Sequence, residues 1–140
     1  MDKRTVKKLI KKALEARELA YTPYSHWAVG AALLDADGKV WTGCNIENAA
    51  YGPSNCAERT AVFKAVSEGQ RKFSAIAVVG GPAGEAPSAV CPPCGVCRQV
   101  LREFCGNDFA IILAVSETEY TLTTLGELLP YGFGPESLGK

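Results

Sequence analysis

The sequence predicts an α/β fold: a three-layer α/β/α sandwich around a mixed, about five-stranded sheet. Two observations carry this. Short apolar runs alternate with segments of helical periodicity, and several of those runs are apolar throughout, as strands covered on both faces are. At 140 residues the chain has the usual length of one domain with one core, and residues 1–140 are read as a single catalytic domain.

Residues 3–20 read as an amphipathic helix, with Val6, Leu9, Ile10, Ala13 and Leu14 on one side and Lys7, Lys8, Lys11 and Lys12 on the other. Pro23 breaks it. Residues 28–34 form a continuous apolar run that suits a buried strand, Asp37-Gly38 signals a hairpin turn, and residues 39–42 return as a second strand. Residues 43–55 have no period and are rich in Asn, Gly and Pro, so they read as a long loop, which in a small domain is usually functional. A second helix spans 56–68, capped by Ser54 or Asn55 and ended by Gly69. Residues 75–79 are a strand and 80–92 a Gly/Pro/Ala loop. Pro93 suits the first turn of a third helix running to about Phe104. Strands at 110–115 and 120–122 and a brief helix at 124–129 complete the pattern.

The composition excludes several classes. Formal net charge is zero, so the molecule as a whole does not attract polyanions or anionic membranes, and neither nucleic acid nor membrane is expected as a partner. The apolar runs fall well short of the roughly 20 residues that cross a bilayer. The first residues lack the apolar core of a signal peptide, which points to the cytoplasm. Six cysteines in such a compartment bind metal or do chemistry more often than they pair as disulfides.

Three of those cysteines share two short segments, Cys56-Ala57-Glu58 and Pro93-Cys94-Gly95-Val96-Cys97, each at the start of a helix. Unpaired N–H groups there favour thiolate, the form that binds zinc. Cys94 and Cys97 are three apart and share a helix face. Three protein ligands leave zinc an open corner, the mark of a catalytic site. Glu58 is then a candidate proton carrier, although a glutamate in a first helical turn also simply suits the helix dipole. Three thiolates give zinc a net negative charge, and Arg59 and Arg98 are candidates to offset it. The competing reading is a closed, inert site completed by Cys91, whose two following prolines hinder such wrapping. Cys44 and Cys105 read as small buried hydrophobes, and His26, the only histidine, has little support as a ligand.

The two cysteine segments resemble those of the zinc nucleoside and base deaminases. The segments Tyr24-Ser25, Val29-Gly30-Ala31-Ala32-Leu33, residues 43–51, residues 55–61, Cys97-Arg98-Gln99-Val100 and Glu127-Leu128-Leu129-Pro130 resemble the small, homotetrameric cytidine deaminases over nearly the whole chain. The resemblance implies a cytidine deaminase-like fold and one Zn2+ per subunit, held by Cys56, Cys94 and Cys97. It implies hydrolytic deamination of free cytidine and deoxycytidine in pyrimidine salvage, with Glu58 shuttling protons to N3 and to the leaving amine. By the same resemblance Asn45 and Glu47 bond the ribose, mainly its 3′-hydroxyl, and the Ala57 backbone reads the base edge. Arg59 softens the charge on the thiolates. Phe133 stacks on the base in a neighbouring subunit's site, and Ala49 and Tyr51 reach across the same interface of a homotetramer. Trp27 stands where the family usually has a phenylalanine near the substrate, and its larger ring is expected either to tighten the pocket or to shift base stacking. The competing functions are deamination of another cytosine compound, a nucleoside antibiotic or a polynucleotide, and a non-enzymatic zinc module.

Overall fold

The computed structural model describes residues 1–140. Its elements are α1 (Lys3–Arg17), β1 (Trp27–Asp35), β2 (Val40–Cys44), α2 (Ala57–Ser67), β3 (Phe73–Pro82), α3 (Gly95–Phe104), β4 (Ala110–Ala114), β5 (Tyr120–Thr124), α4 (Leu125–Leu128) and a 3-10 turn, Pro135–Leu138. The strands form one mixed sheet in the order β2-β1-β3-β4-β5. Only β3 and β4 run parallel; the other neighbours are antiparallel.

Alternation along the central strands explains the continuous apolar runs. Ala31 and Leu33 of β1, Ile76 and Val78 of β3, and Ile111 and Leu113 of β4 pack with Ala57, Ala61, Val62, Leu101 and Leu125 of α2, α3 and α4. The residues between them, Ala32, Ala77, Val79 and Ile112, face the other way and pack with Val6, Leu9, Ile10 and Ala13 of α1. Both faces are therefore covered, so the sheet shows no polar alternation. This is the expected three-layer α/β/α architecture.

The helices approach closely because glycines let them. A Cβ on Gly30 would lie 2.0 Å from the Ala13 carbonyl oxygen of α1. A Cβ on Gly43 would lie 2.3 Å from the Ala57 carbonyl oxygen and 2.6 Å from the Ala61 nitrogen. Gly43 thus seats the first turn of α2 against the end of β2, directly before the loop that reaches the site.

The element boundaries differ from the sequence reading for identifiable reasons. The first helix stops at Arg17 rather than residue 20. The Arg17 guanidinium is drawn inward to Ala28 O (2.9 Å) and Pro82 O (2.7 Å), and Tyr21 leaves to bridge Ile46. Strand β3 extends well past 75–79 because Gly80 and Gly81 pair with Val29 and Ala28; lacking side chains, they carry no apolar signal. The strand expected at 39–42 runs from Val40 to Cys44, and β5 reaches Thr124. Thr124 caps α4, accepting from Glu127 N–H at 3.3 Å. Pairing with β1 thus extends β2 to the edge of the functional loop.

The hairpin between β1 and β2 is stapled by a buried acid. Asp35 is 3% exposed and accepts from Asp37 N–H (2.8 Å), Lys39 N–H (3.0 Å) and Trp41 Nε1–H (2.9 Å), while Gly38 turns the chain at φ 89°. Burial opposes its charge, yet these donors hold its carboxyl below the ordinary value. Asp35→Ala leaves Trp41 Nε1–H without its partner and should cost about 2–3 kcal/mol in chemical denaturation at pH 7. Because the folded pKa is depressed, the contribution is complete above the unfolded value of about 4 and is lost as pH falls through the folded value. The stability gap between wild type and variant should therefore narrow below about pH 4.

Candidate active site

Two helix starts meet at one end of the sheet. Cys56 is the N-cap of α2 (φ −77°, ψ 158°) and Cys94 the N-cap of α3 (φ −68°, ψ 170°). Neither thiol caps its own helix, so both side chains are free to turn toward each other. The caps expected from Ser54 or Asn55 are absent because those residues serve the preceding loop. Ser54 Oγ accepts from Asn48 N–H at 2.9 Å, and Asn55 bridges Ile46. Pro93 likewise lies before the α3 cap rather than in its first turn.

The sulfurs of Cys56, Cys94 and Cys97 lie within 4.8 Å of one another. Those of Cys56 and Cys94 are 3.7 Å apart, close to the roughly 3.8 Å between two thiolates on a tetrahedral zinc with bonds of about 2.3 Å. Cys97 is the most buried of the three, 1% exposed. Cys91 does not join this group, so the closed four-sulfur site is not assembled. All six cysteines are free thiols. A soft, three-thiolate donor set is the chemistry zinc prefers, and these residues fit it.

The electrostatics favour thiolate at the helix starts. A hydrogen bond from Cys97 and the Arg59 guanidinium, 3.4 Å from its sulfur, lower the Cys56 pKa to about 5 against the cost of burial. The same contact with Cys56, together with burial, pushes Cys97 up. Burial works against the Arg59 charge, but its hydrogen bonds to Cys56 and Cys97 outweigh it, and the guanidinium stays charged. Arg98 has a different task. Its Nε donates to Pro93 O (2.8 Å) and its Nη1 to Leu128 O (2.7 Å), so it ties the approach to α3 onto α4 instead of facing the sulfurs.

A cavity of about 320 Å³ opens above the sulfurs, a size suited to a small organic ligand. Trp27 and Val29 of β1 line one wall, with Asn45 and Glu47 from the loop after β2. Cys56, Ala57 and Glu58 of the α2 start line the floor, and Cys91, Pro92 and Cys94 the opposite wall. Glu58 is 4% exposed, and burial, with the nearby Cys56 charge, raises its pKa to about 7. A carboxyl so poised exchanges protons readily near neutral pH. Asn45 is clamped, its Oδ1 accepting from Val29 N–H (2.9 Å) and its Nδ2 donating to Trp27 O (2.8 Å).

Three expected site residues lie outside this cavity. Tyr51 lines an adjoining cavity of about 330 Å³ that shares Ser25 and Glu47 with the first. Its ring meets Tyr24 edge-on, 6.1 Å between centroids. Ala49 is exposed in the loop between β2 and α2. Phe133 is 58% exposed on the C-terminal segment, where its carbonyl accepts from Gln99 Nε2. From sequence, Ser25 has no assigned role and Cys91 figures only as a fourth metal ligand hindered by Pro92 and Pro93; the fold brings Ser25, Cys91 and Pro92 to the cavity walls. The place of Ser25 in the Tyr24-Ser25 segment that resembles the family, two residues before Trp27, is the signal for it. Cys91 is separated from the metal group by its two prolines, and burial raises its pKa.

Comparisons with known proteins agree with this geometry. The sequence profile described as "Cytidine and deoxycytidylate deaminase zinc-binding region" matches residues 3–113. A cytidine deaminase of Sporosarcina psychrophila is 50% identical over 133 residues, covering 95% of this chain and 94% of the relative. One from Halalkalibacterium halodurans is 52% identical over 130 residues, covering 93% and 95%. The crystal structure of cytidine deaminase from Burkholderia pseudomallei superposes with a TM-score of 0.82 at 48% identity, covering 90% of this chain and 97% of that one. With three sulfurs gathered at two helix starts and these likenesses running nearly end to end, the chain belongs to the zinc-binding cytidine and deoxycytidylate deaminase family.

Proposed function

We propose that the protein is an enzyme that hydrolytically deaminates free cytidine and deoxycytidine to uridine and deoxyuridine, releasing ammonia. The observation that carries this is a buried carboxyl, Glu58, in the same cavity as a three-sulfur group with no fourth protein ligand. Cys56, Cys94 and Cys97 would hold one zinc per subunit. Once bound, zinc supplies a Lewis acid that lets a water attack at neutral pH.

The chain's own residues do the rest. Glu58 takes up the proton of the attacking water at a carboxylate oxygen and delivers it to N3 of the base as the new bond forms at C4. It then moves the remaining hydroxyl proton to the amine, which leaves as ammonia while the C4 carbonyl forms. Its neutral-range pKa suits both directions of transfer. The Ala57 backbone reads the base edge. Asn45 and Glu47 hold the sugar, and Trp27, 45% exposed, offers its ring to the base side. Arg59 offsets the negative charge of the sulfurs.

The same reading extends to assembly. Residues 1–140 act as one catalytic domain, and the protein is a cytoplasmic homotetramer of pyrimidine salvage whose sites are shared between subunits. In it, Phe133 stacks on the base in a neighbour's site, and Ala49 and Tyr51 reach across. The exposure of Phe133 and Tyr51 is consistent with this. No helix is long and apolar enough to cross a membrane.

Conversion of cytidine to uridine, followed by ultraviolet absorbance, tests the proposal. Glu58→Gln should lower kcat by at least about 100-fold while metal analysis still finds zinc, since it removes the proton carrier and spares the sulfurs. Undiminished turnover in that variant would exclude the shuttle role. Cys94→Ala should lose the metal, and activity with it; a variant that retains one zinc per chain would overturn the assignment of Cys94 as a ligand.

A further inference from the structure

We propose that Ser25 is a positioning residue for the sugar end of the substrate: its hydroxyl locks the Glu47 carboxylate in the orientation that receives a sugar hydroxyl. The inference rests on the reading of Glu47 as a sugar-holding group.

Glu47 is gripped by one short turn. Its Oε1 accepts from Tyr24 N–H and Ser25 N–H, each at 3.1 Å, and its Oε2 accepts from the Ser25 hydroxyl. Ser25 Oγ in turn accepts from Trp27 N–H at 3.0 Å. A hydroxyl has one proton and two acceptor sites, and Trp27 offers only a donor, so the Ser25 proton is free to go to Glu47. The direction of the chain Trp27 N–H to Ser25 to Glu47 is therefore fixed.

Counting acceptor sites shows what remains. A carboxylate has about four, and the turn fills three. The one left is on Oε2, the oxygen whose direction only Ser25 sets. Without the Ser25 hydroxyl, both backbone donors still hold Oε1, and the carboxylate can swing about that atom. All three donors favour the anion, Ser25 most of all, and keep the Glu47 carboxyl below its ordinary pKa.

The turn also has bonds that do not involve the Ser25 side chain. His26 sits at φ 56°, fixed by its own N–H to Thr22 O (3.1 Å) and by Ala83 N–H to His26 O (2.8 Å). Trp27 is held by β1 pairing and by Asn45 Nδ2. Removing the hydroxyl frees Glu47 Oε2 and leaves Trp27 N–H without its side-chain acceptor, a loss that bears on the base side and so falls equally on both substrates of the test below.

The test compares cytidine with 2′,3′-dideoxycytidine, which lacks both ring hydroxyls, in wild type, Ser25→Ala and Ser25→Thr. For Ser25→Ala, kcat/KM on cytidine should fall about tenfold, chiefly through KM, while the dideoxy substrate changes by less than about twofold. Ser25→Thr should retain most of the discrimination. In a Glu47→Ala background, Ser25→Ala should add no further loss. If Ser25→Ala does not fold, Ser25→Cys keeps the volume and replaces a strong donor with a weak one. Equal loss on both substrates, or no loss on cytidine, would overturn the inference. A wild-type enzyme that turns over neither substrate would overturn instead the deaminase reading on which it rests.

Discussion

The structure depends on gathering negative charge at the starts of two helices. Three thiolates within 4.8 Å of one another would repel strongly in an apolar interior. Three features offset this. Cys56 and Cys94 lie at N-caps, where unpaired N–H groups and the helix dipole favour anions. Arg59 brings a charged guanidinium to within 3.4 Å of the Cys56 sulfur. A divalent cation supplies the rest when bound, leaving a net charge that Arg59 can balance. Gly43 lets α2 sit hard against β2 and thereby fixes where Cys56 stands relative to Cys94.

The same charge sets the character of Glu58. An exposed glutamate beside a thiolate would be an ordinary anion. Glu58 is buried, and the neighbouring sulfur raises the cost of its charge further. Arg59, the next residue, moderates the shift. The acid and its counter-charge thus come from consecutive positions of one helical turn, one aimed into the cavity and the other toward the sulfurs. Moving either by one residue would place it on a different face of α2.

Much of this was legible in the sequence because the chemistry is local. The spacings around Cys56 and Cys94 locate both helix starts, and continuous apolar runs identify strands covered on both faces. What stayed hidden depends on groups without a sequence period. Gly80 and Gly81 extend β3 without any apolar side chain, and the inward pull on Arg17 ends α1 early. The rejection of Arg98 as a partner of the sulfurs follows from its bonds to two carbonyls, one of them 30 residues away. The walls contributed by Ser25, Cys91 and Pro92 come from segments that read only as turn or loop. Their place is set by the pairing of β1 with β3, which no local pattern encodes.

Hydrogen-bond capacity indicates how such a site selects its ligand. Asn45 could offer four hydrogen bonds; two are committed to the β1 backbone at Trp27 and Val29. Glu47 has three of about four acceptor positions committed to the Tyr24–Ser25 turn. Both side chains are therefore as much part of the scaffold as of the binding surface. This limits the number of ligand contacts they can make and fixes the direction of those that remain. A rigid group with one open position discriminates against ligands that leave it unfilled, because the buried or oriented partner then has nothing to bond. A flexible carboxylate would turn to water instead and discriminate less. Under the proposed reading of Asn45 and Glu47 as sugar-holding groups, their bonds to β1 and to the turn before it would convert local backbone order into selectivity for the sugar.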